Sequence, residues 1–122
     1  MSVSGPAADV EEGESVEYES SVERAAGSHL TLSAIGNVTQ LGADGSETEL
    51  APTYMWYRKG RGETEFKRVA ADGNLAAGTA STLGIDLTAD DDGAQYYCHV
   101  GYNDVCLDTG VTVSYTHLTL PT

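Results

Sequence analysis

The side chains able to do chemistry in this 122-residue chain are few and scattered. Cys98 and Cys106 are its two cysteines, His29, His99 and His117 its three histidines, and Asp90-Asp91-Asp92 with Asp86 its densest run of carboxylates. None of them falls in a spacing that a reaction demands. A nucleophilic serine or cysteine needs a base beside it and a turn that presents it, yet there is no nucleophile elbow, no H-E-x-x-H and no phosphate-cradling glycine loop. Zinc needs paired ligand spacings, and only His99 adjoins the cysteines. The aspartate run carries the oxygen ligands of a Ca²⁺ loop, but a solvated turn with one ion pair is the simpler reading. Asn37-Val38-Thr39 is a glycosylation sequon, meaningful only in a eukaryotic secretory pathway. The expectation is a non-catalytic chain without cofactor or metal.

The two cysteines flank Gly101-Tyr102-Asn103-Asp104, a hairpin signal between two apolar runs. A hairpin centred on Tyr102 sets Cys98 and Cys106 opposite each other, where a bridge is feasible. Closing nine residues, such a bridge contributes about 2.6 kcal/mol on the loop-entropy model. The alternative is a pair of thiols packed as small hydrophobes, and the sequence leaves both readings open. Tyr102, Asn103 and Asp104 at the tip form the candidate binding loop, since such residue types make adaptable contacts. The long connection from Gly36 to Thr53 is expected beside them at one end of the molecule.

The elements that position these residues read as short strands. Residues 1–20 are small and acidic, and predict a linker or the end of a preceding domain, with at most a weak strand around Val16 and Tyr18. Leu30, Leu32 and Ala34 alternate as a half-buried strand. Tyr54–Arg58 is aromatic and strand-like, and the Lys59–Gly62 turn leads to a short strand at Glu65–Val69. Leu83, Ile85 and Leu87 alternate in turn. Gln95–Val100 and Val105–Val113 form the arms of the hairpin. No segment holds a helical period, so an antiparallel sandwich or barrel follows.

Two places make the pattern specific. Asp92-Gly93-Ala94-Gln95-Tyr96-Tyr97-Cys98 resembles the D-x-G/A-x-Y-x-C signature that enters strand F of immunoglobulin domains. Trp56 resembles their strand-C core tryptophan, 42 positions before Cys98. Leu83-x-Ile85 is similar to strand E, and Gly27-x-x-Leu30-x-Leu32 to the entry of strand B. The resemblance to the immunoglobulin-like superfamily, of variable or intermediate type, covers roughly residues 22–113. It implies a two-sheet antiparallel Greek-key sandwich with Trp56, Tyr96, Cys98, Leu32, Leu83 and Ile85 in the core. It also implies a Tyr96 hydroxyl turned back onto the backbone at the E–F corner, and an Asp92 ion pair for which Arg68 is the nearest candidate. One departure stands out: the strand-B cysteine of the family falls at Ala34, so the usual inter-sheet disulfide is absent.

Six Lys+Arg against 19 Asp+Glu give a formal charge of −13. That charge repels phosphate backbones and anionic lipid, which argues against nucleic-acid and membrane partners. The N-terminus lacks the basic and apolar regions of a signal peptide. Residues 114–122 belong with a ten-residue stretch, Val113–Thr122, that resembles a translated sequencing adapter, so the native chain is expected to continue differently after about Thr112. Residues 21–113 then form the domain, covalently linked to neighbouring domains, at a cell surface, outside the cell or on a virion. The expected function is a binding or display module of a surface, adhesin-like or phage-structural protein that takes a protein or glycan ligand. The alternatives are an accessory domain of a secreted enzyme and a variable-type domain of an animal receptor.

Overall fold

A computed structural model of the chain describes residues 1–11 and 13–117. They form ten strands: β1 (Ser2–Ala8), β2 (Ser21–Ala25), β3 (His29–Leu41), β4 (Glu47–Leu50), β5 (Thr53–Lys59), β6 (Lys67–Asp72), β7 (Ser81–Asp86), β8 (Ala94–Tyr102), β9 (Val105–Asp108) and β10 (Thr112–His117). A single 3-10 turn spans Ala89–Asp91. The smaller sheet joins β1, β3, β4 and β7, and the larger runs β2-β10-β8-β5-β6 with β9 on β8. Pairing is antiparallel except between β2 and β10, which run parallel. The chain is an all-β sandwich of two sheets.

Strand alternation builds the core. Leu30, Leu32 and Ala34 of β3 face Tyr54 and Trp56 of β5 and Ala94, Tyr96, Cys98 and Val100 of β8, all buried at every second position. Leu83 and Ile85 of β7 pack against this cluster but stay half-buried. Ala34 and Cys98 are both completely buried in the cluster, on opposite sheets.

Trp56 ties the sheets together by more than its bulk. Its indole Nε1–H donates to Ser81 Oγ at 2.9 Å. Ser81, on β7 across the core, donates onward to Asp72 Oδ2 at 2.5 Å, back on the sheet that carries the tryptophan. A second crossing runs from the Gly36 N–H to the Tyr54 hydroxyl at 2.9 Å. Burial pushes the Tyr54 phenol up, although that hydrogen bond works the other way.

Several expectations about the chain's course need correction. Residues 1–20 are not a linker throughout, because β1 pairs with β3 and buries Pro6 and Ala7. Its residues are too small to show an apolar alternation, and the backbone supplies the pairing. Gly5 takes φ +110°, and a Cβ there would stand 2.6 Å from the Ser33 carbonyl, so no other residue fits without a shift. Nor is the stretch from Gly36 to Thr53 a loop. β3 runs on to Leu41 and folds back as β4, pairing Val38 with Leu50 and Leu41 with Glu47. At the turn, the Asp44 carboxylate accepts from the Ser46 hydroxyl and amide, which holds its pKa below the usual range. Residues 114–117 complete β10 against β2, and the buried Ser114 hydroxyl donates to the Asp91 carbonyl at 2.6 Å. Residues 118–122 of the adapter-like stretch lie outside the described residues.

The ion pair is also redrawn. Arg68 is exposed on β6 and enters no ion pair among the described residues. Asp92 instead accepts from the Thr116 amide at 3.0 Å and lies 3.6 Å from Arg61. The better-buried pair is Arg58 with Asp91, at 2.9 Å. Burial opposes the Arg58 charge, but hydrogen bonds to Tyr96 and Asp91 outweigh it and raise the pKa. The Tyr96 hydroxyl accordingly accepts from Arg58 Nε, at 3.3 Å, where a backbone partner was expected. The physical reason is register: Arg58 lies directly opposite Tyr96, whereas Arg68 lies opposite Tyr57.

Two substitutions test this frame. Trp56→Ala should cost about 3–5 kcal/mol, by cavity and by loss of the indole N–H that Ser81 Oγ accepts from, and abolish the cooperative melt or lower it sharply. Arg58→Met should cost about 1–3 kcal/mol, whereas Arg68→Met should stay within about 0.5 kcal/mol of the parent. Equal costs for the two arginines in urea unfolding would contradict the pairing described.

Candidate functional site: the outer face of the larger sheet

With Trp56, Tyr96 and Cys98 turned inward, period-2 geometry turns their neighbours outward. Tyr57 of β5 lies opposite Tyr97 of β8, Met55 opposite His99, and Thr53 opposite Gly101. The two tyrosine rings stack, with centroids 5.1 Å apart and planes within 11°. Phe66, in the β5–β6 connection, meets Tyr97 edge-on at 4.8 Å. Lys59 Nζ stands 5.4 Å over the Phe66 ring, and the Tyr57 hydroxyl donates to Met55 Sδ at 3.8 Å. Met55, Tyr57, Phe66 and Tyr97 are all half-buried. They make a continuous aromatic platform with no second layer of protein over it among the described residues. Burial raises the Tyr97 pKa, and the Asp108 charge adds to it.

At the far end of this face β8 and β9 form a hairpin. Tyr102 pairs with Val105, so the turn is the two residues Asn103 and Asp104. Asn103 adopts φ +52°, a conformation asparagine tolerates. Asn103 and Asp104 project as an exposed tip, while Tyr102 lies half-buried along β8. His99 Nδ1 sits 2.6 Å from Asp108 Oδ1 across the same hairpin.

This register separates the cysteines and corrects the bridge reading. The hairpin centre lies between Asn103 and Asp104, so Cys106 stands opposite Gly101. Cys98 meets Thr109 instead, its amide donating to the Thr109 hydroxyl at 2.8 Å and its carbonyl accepting from the Thr109 amide at 2.9 Å. One thiol points into the core and the other is exposed, and both are free. Burial pushes the Cys98 thiol up to about 12.

The remaining groups singled out in the sequence are taken up structurally. His29 pairs with Asp86 at 2.9 Å and His117 with Glu23 at 3.7 Å. Asp91 closes a capping box with Thr88. Among the described residues no three His, Cys, Asp or Glu side chains converge as metal ligands. The aromatic platform was missed in the sequence, although its signal was present: once Trp56 and Cys98 face inward, Tyr57 and Tyr97 must face out. Phe66 gave no such signal, because it follows a turn. No protein-family model matches the chain, and no curated protein matches it either.

The thiols give a direct check. At neutral pH a thiol reagent should add one label to the native protein, at Cys106, and a second only on unfolding. Two labels on the folded chain, read by mass spectrometry, would contradict the inward Cys98. The raised folded pKa of Cys98 also carries a sign. The unfolded chain loses this proton first, so stability fully present below pH 9 falls as pH rises from about 9 toward about 12, by about 1.4 kcal/mol per unit at most. Cys98→Ala should flatten that alkaline limb in urea titrations.

Proposed function

We infer that the chain is an immunoglobulin-like, non-catalytic binding or display module of a larger surface, adhesin-like or phage-structural protein. Three features support the family reading. Trp56, Tyr96 and Cys98 share one buried cluster with Ala34. β6 lies beside β5 in the larger sheet, where variable-type domains carry an added strand. β2 runs parallel along β10 at the other edge of that sheet. The same strand order favours, as a second reading, a variable-type receptor domain.

The observation that carries a binding role is the aromatic platform. Stacked Tyr57 and Tyr97 with Phe66 across their edge supply large, rigid, amphipathic contact area at little entropic cost. Such side chains supply the strong contacts of protein interfaces, and their flat apolar faces also suit the C–H faces of sugar rings. The exposed tip at Asn103 and Asp104 ends the same strand and offers polar contacts beyond the platform, while Tyr102 falls in the inward-facing set of β8.

The test is binding of the purified chain to arrayed glycans and to extracellular proteins, beside a Tyr57→Ser/Tyr97→Ser variant with an unchanged melt. Loss of about ten-fold or more in affinity is expected. Equal binding by parent and variant would remove the platform from the reading. A parent chain that binds neither glycan nor protein would count against a binding module.

A further inference from the structure

A second site lies on the opposite side of the molecule. Between β1 and β2 the chain leaves the sandwich at Asp9 and returns at Glu19, and both ends are tied down. The Asp9 amide donates to the Thr31 carbonyl at 2.8 Å, its carboxylate accepts from the Thr31 amide at 3.1 Å, and its other oxygen meets Arg24 at 3.1 Å. The Glu19 amide donates to the Pro6 carbonyl at 2.9 Å, and its carboxylate accepts from the Ala8 amide at 3.3 Å. Between these anchors residues 10–11 and 13–16 lie over the outer face of β3 and β7 and line with it a cleft of about 600 Å³. That volume suits a small organic ligand.

The lining has a definite chemistry. Val10 and Val16 of this segment and Ile35 of β3 give it apolar walls, and Glu11 and Glu14 bring two exposed carboxylates to it. Ser33 of β3 lies in the lining while only 3% exposed, and its hydroxyl makes no hydrogen bond among the described residues. Open to the cleft rather than sealed in the core, that hydroxyl is free to accept a hydrogen bond from a bound group. Among the described residues no Lys or Arg lines the cleft. A hard divalent cation fits poorly, since it needs six or more converging oxygens at short range and one Glu14 oxygen already accepts from the Glu11 amide at 3.0 Å.

We propose that this cleft binds a primary alkylammonium group, the chemistry shared by a free diamine and the lysine side chain of a partner. An ammonium has three N–H donors to satisfy. Glu11, Glu14 and the unpaired Ser33 hydroxyl supply acceptors of the right kind. A chain of about four carbons, as in lysine, lies against Val10, Val16 and Ile35 while its head stays paired. The acidic balance of residues 9–20, six carboxylates and no Lys or Arg, draws such a cation in.

The experiment is an amide-resolved NMR titration of the full chain with diaminopentane and, separately, with an N-acetyl, C-methylamide lysine. Saturable shifts confined to residues 10–16, 33–35 and 79–82 are expected from at least one of them. The Glu11→Gln/Glu14→Gln variant should weaken that binding roughly five-fold or more. Its folding is protected, because glutamine at 14 can still accept from the Glu11 amide, and an unchanged spectrum away from the cleft checks this. Saturation by the lysine derivative alone assigns the cleft to a partner's side chain, and saturation by the diamine alone to a free amine. Non-saturating shifts spread over all surface carboxylates, or equal response to potassium chloride, would overturn the proposal.

Discussion

An indole buried between two sheets leaves its N–H with nowhere to go but across the gap. In this chain that constraint is met by Ser81, and Ser81 in turn by Asp72, so one tryptophan on β5 fixes the position of β7 and the end of β6. Such a relay is directional in a way that apolar packing is not. Apolar attraction has no preferred direction, whereas a donor aimed at a fully buried oxygen must meet it in line and within hydrogen-bond distance. The spacing of the two layers therefore follows from Trp56 more than from any other residue. The Gly36–Tyr54 hydrogen bond repeats the device one step along β5.

The outer surfaces inherit their character from this inner arrangement. Because β5 and β8 each commit one set of alternate residues to the core, the other set is exposed as a block, and in register. Tyr57 stacks on Tyr97 only because Trp56 and Cys98 are paired behind them. Arg58 shows the same logic at the end of the strand, where its inward position opposite Tyr96 brings it to Asp91. The smaller sheet turns its own outer face to residues 10–11 and 13–16, so the two sides of the sandwich present an aromatic plane and an acidic cleft.

The sequence made the interior legible and much of the periphery illegible. Trp56, Tyr96, Cys98 and Leu32 could be assigned because strand alternation and one family-like motif both pointed to them. Leu83 and Ile85 alternate just as well yet remain half-buried, since alternation reports a face and not how fully that face is covered. β1 and β4 escaped notice because their pairing is carried by backbone groups, while their side chains are small, acidic or hydroxylic. The misplaced hairpin centre shows the sharpest limit. A shift of one and a half residues, from Tyr102 to the Asn103–Asp104 junction, moved Cys106 away from Cys98 and reassigned a predicted cross-link. The residue that admits the two-residue turn is Asn103, at φ +52°, and its place in the tip is not read from composition alone.

Ala34 and the unbridged Cys98 carry a consequence for how such a domain matures. The two sheets are clamped by packing and hydrogen bonds alone, with no covalent tie whose formation would need an oxidase or an isomerase. Completing the fold therefore requires no oxidising step, and its stability does not follow the glutathione poise of its surroundings. Transfer between compartments of different redox potential leaves the core unchanged.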